Sequence, residues 1–311
     1  MEKAAKPTRL LDLIELVHNI PFDFDFSALY ALYLPNDPRP HGYMLPETVT
    51  KMPWSPEFDV QHESRSIKLS DSSNGLDTAA ACNKAFQQVI DDAIAANVFP
   101  SVHGMHSEMY KIMGANQFIH LERFMAPLFG IAARGAHLTA YVNMPEGIKV
   151  WVPRRAANLF TYPNMLDTTV AGGVKSDNSP FQCIVAESDE EASLPRDFVE
   201  KNARATGVIT YMTKSRVTQL IRPDVIYVFD LELPSSMIPV PKDGEVAGFE
   251  LMSVEEINAA MFRGEFKPNC NLVMIDFFVR RGIITPDNEE DYVEIAARLR
   301  RKLPVPTTLA R

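Results

Sequence analysis

The chain has 311 residues, 46% of them hydrophobic, with 40 acidic against 31 basic side chains and a formal net charge of −9. That length accommodates about two domains of ordinary size, and an acidic balance without clustered Lys and Arg argues against a partner recognised through its phosphate backbone, so no nucleic-acid partner is expected. The three cysteines, Cys82, Cys183 and Cys270, are far apart and lack CxxC spacing, which excludes a disulfide framework and reads as reduced, structural thiols. From the amino end, Leu10 to Asn19 carries leucine and isoleucine at helical spacing. It reads as a short amphipathic helix, too short and too interrupted for a signal peptide. No run approaches the ~18 apolar residues of a membrane span, so no membrane partner and a cytoplasmic location are expected. Phe26 to Leu34 and His41 to Met52, with proline and aspartate between them, read as strands at a sheet edge. Leu69 to Thr78 is an exposed polar loop and Ala79 to Ala96 is helical. Residues 1–133 therefore read as a smaller α+β domain, with no glycine loop to cradle a nucleotide.

A second domain is expected over 134–311. His137 to Val142 and Ile148 to Val152 alternate like paired strands around Met144, Pro145, Glu146 and Gly147. Thr169 to Ala171 leads into Gly172 and Gly173, and Ser179 with Pro180 reads as the N-cap and first position of a helix. Phe181, Ile184 and Val185 give that helix an apolar side. Glu187, Glu190 and Glu191 share another sector, while Asp189 points elsewhere. Pro195 limits the acidic face to about three turns. Taken alone, such a charge run is a solvated surface. Three converging carboxylates nevertheless repel one another unless a cation lies between them, and hard divalent ions take oxygen ligands. Val208 to Thr213 and Asp224 to Leu233 follow as a strand pair, then Val254 to Phe262 and Leu272 to Arg281 as helices. The proline-rich tail from Lys302 is a closing strap or a frayed end.

Glycines, loop and acidic helix together resemble the Nudix hydrolases, whose box reads R-E-x-x-E-E-x-G-U with U aliphatic. Glu187, Glu190 and Glu191 match its metal-binding glutamates. The flanks WVPRR from Trp151, TYPNMLDTTVAGG from Thr161 and DGEVAGFELMSVEEINAAMFRGEF from Asp243 look like one eukaryotic branch, often labelled thiamine pyrophosphokinase-related. That branch carries a characteristic amino-terminal domain, which Leu10 to Ala133 resembles, including LERFMAPLFGI from Leu121. The resemblance implies an α+β fold of the Nudix type, a mixed sheet sandwiched between helices, with Mg²⁺ or Mn²⁺ as cofactor and a small organic diphosphate, thiamine-type by likeness, as substrate. There are departures. Ala186 replaces the box arginine, Ser193 its glycine, Asp177 and Asn178 a Gly-Glu pair, and Asn164 and Thr168 a glycine and an asparagine of the branch.

The residues expected to act are Glu191, Glu187 and the more distant Glu245 as candidate bases, and Glu187, Glu190 and Glu191 as metal ligands. Arg154, Arg155, Gly172 and Gly173 are expected at the substrate, because guanidinium forks match phosphate geometry. An ordinary ion pair is the even alternative for the arginines, and a solvated turn for Glu245. His103, His106, His120 and His137 match no ligand spacing and read as structural. The function expected is metal-dependent diphosphate hydrolysis. A repurposed, non-hydrolytic Nudix-fold protein (isomerase, biosynthetic enzyme or ligand-binding module) is the alternative. The amino-terminal domain could also serve as an interaction module or homodimer contact.

Overall fold

A computed structural model describes residues 6–100 and 106–310. The first element is helix α1 (Leu10–Glu15), shorter than the helix expected to Asn19, with a turn over Leu16 and Val17 following it. A 3-10 turn over Phe26–Ala28, capped by the Asp25 carboxylate on Ser27, takes the first part of the expected Phe26–Leu34 strand. Strand β1 (Tyr30–Tyr33) is what remains. Strand β2 (Pro40–Met44) likewise stops early, since Pro46 opens helix α2 (Pro46–Lys51) at the position where proline loses no hydrogen bond. With β3 (Phe58–Gln61) and β4 (Ser66–Leu69) they form a sheet of order β2-β1-β4-β3, with β2 at its edge. Helix α3 (Thr78–Ala95) packs Cys82, Phe86, Val89 and Ile90 on that sheet in one apolar core. A two-stranded antiparallel ribbon follows, β5 (Met109–Lys111) and β6 (His120–Glu122).

The larger sheet starts with β7 (Ala133–Met144) and β8 (Gly147–Arg155), which turn at Pro145 and Glu146 and pair from Tyr141 to Met144. Below Tyr141 the two strands diverge and β9 (Val170–Gly173) pairs with β7 instead. The Thr169 hydroxyl bridges the fork, accepting from Ala140 N at 2.8 Å and donating to Trp151 O at 2.6 Å. After helices α4 (Pro180–Ala192) and α5 (Arg196–Asn202) come β10 (Arg204–Lys214) and β11 (Ile221–Glu232), an antiparallel pair as expected. Strand β11 runs parallel to β7, and β12 (Val246–Ser253) closes the order β10-β11-β7-β8-β12. Helices α6 (Val254–Arg263), α7 (Pro268–Arg280) and α8 (Tyr292–Arg298) complete the chain.

Alternation along the strands gives this sheet two apolar faces. Tyr141, Val150, Val152, Ile226 and Val228 point to a core shared with α1, α6, α7 and α8. Leu138, Ala140, Val142, Phe229 and Leu231 point to a second core under α4 and α5. The result is a mixed sheet between two helical layers, preceded by a smaller α+β unit, which is the fold class expected. No helix among the described residues is long and apolar enough to cross a membrane. The tail is a strap: Leu303 and Val305 are buried, Ala310 N donates to Asn116 Oδ1 at 2.8 Å, and Arg39 donates to Thr308 O at 2.8 Å.

Candidate functional site

Helix α4 sets the site. Ser179 accepts from Gln182 N at 3.1 Å while Gln182 Oε1 accepts from Ser179 N at 2.8 Å, a capping box that fixes the start of the helix behind Pro180. Cys183, Ile184 and Val185 are buried against the sheet. One turn on, Glu187 lies against β9 so closely that a Cβ on Gly172 would collide with its carboxylate, and a Cβ on Gly173 would collide with the Tyr110 hydroxyl. Close approach is thus the reason both positions are glycine. Glu191 is buried, and its Oε2 accepts from Ala171 N at 3.2 Å. Glu190 is exposed, with Arg196 at 3.8 Å. Asp189 points away, into ion pairs with Arg196 at 3.0 Å and Lys242 at 2.7 Å.

Glu245, on the loop entering β12, lines one small cavity together with Glu191, Asp167, Thr168, Ala171 and Arg155. The carboxylates feel one another. Burial first, then Glu190 and Glu245, push Glu187 up to about 7, with Lys175 pulling the other way. Burial and Glu187 raise Glu191 well above the usual carboxylate range. A group of acids driven toward protonation in this way is short of positive charge.

Arg154 and Arg155 leave β8 on opposite faces. Arg155 lines the cavity, but its donors are engaged by Asp167 at 3.1 Å and by the carbonyls of Tyr162 and Thr161 at 3.2 and 3.1 Å. Arg154 lines a separate groove with Phe249 and Glu250 and donates to Asn164 O at 2.8 Å.

No local sequence pattern marks the buried cluster behind the cavity, which is centred on Asp167. Asp167 is 3.2 Å from Lys267 and 3.1 Å from Arg155, accepts from Thr168 N at 2.8 Å, and takes the Cys270 thiol at 2.7 Å. Burial pushes its carboxyl up, yet Lys267, then His137, Cys270 and Arg155 outweigh that and hold it well below the usual range. His137, bonded to Thr168 Oγ1 at 2.8 Å, is pushed down to about 3 by burial and Lys267. His137, Asp167 and Cys270 are close enough to ligate an ion. With two cations already on the carboxylate, however, the cluster serves as a brace joining β8, the β9 loop and α7. Asp91, His106 and Glu122 form another such group, in which Glu122 is already bonded by His106, Gln87 and Ser107 N at 2.7, 2.8 and 2.7 Å. His120 is half-buried, and His103 lies outside the described residues.

Residues 134–270 match the family profile described as NUDIX domain. This stretch of the chain is a Nudix domain, and its named relatives are Nudix hydrolases. The chain is 33% identical to the uncharacterized protein YJR142W of Saccharomyces cerevisiae over 96% of this chain and 92% of that one. It is 35% identical to Nudix hydrolase 20, chloroplastic, of Arabidopsis thaliana, over 65% of this chain and 54% of the plant protein. Among solved structures, DR0079 from Deinococcus radiodurans matches at 19% identity and a TM-score of 0.37, over 46% of this chain and 82% of that one.

Two departures from the Nudix pattern fall where the backbone takes a conformation that glycine adopts most readily. Ser193, in place of the box glycine, ends α4 at φ 52°, and Asn164, in place of the branch glycine, stands at φ 60°. Both are left-handed positions, and asparagine is the residue after glycine that adopts that region most readily.

Proposed function

We propose that the chain hydrolyses a small organic diphosphate at the carboxylate face of α4, with Mg²⁺ or Mn²⁺ as cofactor and thiamine-type diphosphates as the substrate class. The observation that carries this reading is the meeting of Glu187, Glu190, Glu191 and Glu245 at one edge of β9, with the first and third driven toward protonation for want of a counter-ion. All donors there are carboxylate oxygens, the set a hard divalent cation takes. Such an ion, when bound, would neutralise charge on the phosphates and lower the pKa of the attacking water. Glu187, Glu190 and Glu191 would hold it. The water's proton would pass to Glu191, Glu187 or Glu245, a carboxylate within the same acidic group. Gly172 leaves room for Glu187, Gly173 brings backbone to the rim, and Arg155 stays in the wall, whereas Arg154 faces the other side of the sheet. Thiamine-type specificity rests on the likeness of the flanking segments to the thiamine pyrophosphokinase-related branch. The reading takes residues 1–133 and 134–311 as two domains of a cytoplasmic protein.

Ala186 in place of the box arginine and the Asp177-Asn178 loop support a second reading, a Nudix fold that binds such a ligand without cleaving it. Phosphate release from thiamine, oxidised thiamine, nucleoside and isoprenyl diphosphates with either metal, wild type beside Glu190→Gln, separates the two. The expected result is metal-dependent turnover that falls by roughly a hundredfold in the variant. Absence of turnover on every substrate overturns hydrolysis in favour of the binding protein.

A further inference from the structure

A metal-bound diphosphate still needs cations for its outer oxygens, and the arginines next to the acidic helix are committed elsewhere. Arg155 is held by Asp167 and two carbonyls, Arg154 faces the opposite groove, Lys267 is spent on Asp167, and Arg196 is drawn to Asp189. The region before the hydrolase fold supplies another. The ribbon β5–β6 lies on the loop between β9 and α4, where Ser176 N donates to Met109 O at 2.8 Å. At the end of the ribbon, Arg123 N donates to Glu108 O at 2.9 Å, its guanidinium sits over the Tyr110 ring at 5.7 Å, and its Nη1 meets Glu108 Oε1 at 2.5 Å. That same Nη1 is 3.3 Å from the point a Cβ on Gly173 would occupy, at the end of β9 and on the face opposite the one where Glu187 meets Gly172.

The Arg123 side chain is 44% exposed. Among the described residues Glu108 alone bonds the guanidinium, through Nη1, which leaves Nε and Nη2 of the five-donor fork for a ligand. The guanidinium and Glu187 also interact electrostatically, Lys175 being the cation that Glu187 feels most, so Arg123 adds a second positive charge near a helix that has Ala186 in the box arginine's place. We propose that Arg123, carried by the amino-terminal ribbon, is a phosphate-binding residue of the acidic site, so that the amino-terminal region completes the site of the Nudix domain. This rests on the reading of that site as one for a small organic diphosphate. It assigns a use to the LERFMAPLFGI segment, which the hydrolase fold alone leaves without one.

The test uses the full chain, and its probes do not require turnover. Imidodiphosphate, whose P–N–P bridge resists cleavage, is titrated with Mg²⁺ by calorimetry, and Mn²⁺ alone is titrated by electron paramagnetic resonance. Arg123→Ala is expected to weaken imidodiphosphate about tenfold or more, the effect of losing a charge-assisted fork, while Mn²⁺ affinity stays within about twofold of wild type. Equal loss of both ligands would make Arg123 a scaffold for Gly173 and Glu187 and overturn the proposal. So would an unchanged imidodiphosphate affinity, or a wild type that does not bind the analogue. If Arg123→Ala does not fold, Arg123→Lys decides: a severalfold loss at an unchanged melting temperature supports the fork, and wild-type affinity overturns it. A wild type that binds the analogue but cleaves no diphosphate ends the hydrolytic reading and leaves the assignment of Arg123 standing.

Discussion

Glu187 has its ordinary carboxyl pKa of 4.5 raised to about 7 by burial, Glu190 and Glu245. For an acid whose pKa is higher folded than unfolded, the fold favours the protonated form. The stability contribution is then full below the unfolded value and is lost as pH rises through the folded one. Metal-free protein should therefore lose stability relative to Glu187→Gln between about pH 5 and about pH 8, by on the order of 1–2 kcal/mol once residual solvent screening is allowed for. Denaturant titrations of both proteins in chelator at the two ends of that window measure the difference. A constant gap would show that Glu187 does not titrate across that window. The convergence of Glu187, Glu190 and Glu191 was legible from their three- and four-residue spacing, and so was the opposite turn of Asp189, because a helix fixes both. The crowding that raises Glu187 was not legible, since Glu245 is far away along the chain.

Between helix and sheet, contact distance decides what residues are tolerated. Strand β9 is the edge on which α4 leans, and the glycine pair lets the two backbones come together. Gly172→Ala should push Glu187 off the strand and weaken Mn²⁺ binding by about tenfold while leaving a cooperative melt, since one displaced ligand costs a fraction of the site. Calorimetry with Mn²⁺ checks it, and an unaltered affinity would mean Glu187 is not held by this packing. The start of α4 was readable from Ser179 and Pro180. The opposite facing of Arg154 and Arg155 follows from strand alternation once Trp151 to Arg155 is placed in β8. Which of the two faces the acidic side needed the neighbouring strands.

At the level of the folded chain, the amino end is built into the carboxy-terminal core. Leu11, Leu13, Ile14 and Val17 are buried in one cluster with α7 and α8, and Arg301 donates to Ile20 O and to Pro21 O, the latter at 2.7 Å. A fragment from Ala133 to Arg311 would lose four buried aliphatic side chains at about 1.5–3 kcal/mol each, against a typical net stability of ~5–15 kcal/mol. It is expected to aggregate or to melt broadly and bind a hydrophobic dye. A sharp transition near that of the full chain would show that the amino-terminal helix is dispensable.

The order of elements and the capped acidic helix were written in local pattern, because helix and strand periodicities and proline's missing N–H act over a few residues. Where strands were missed or cut short, as at Phe26 and Pro46, turn chemistry prevailed over alternation. The brace of Asp167, Lys267, Cys270 and His137, the approach of Glu245 and the placing of Arg123 beside Gly173 were decided only by the tertiary structure. Each joins residues tens to a hundred positions apart, and burial and charge at such meetings are properties of three-dimensional packing.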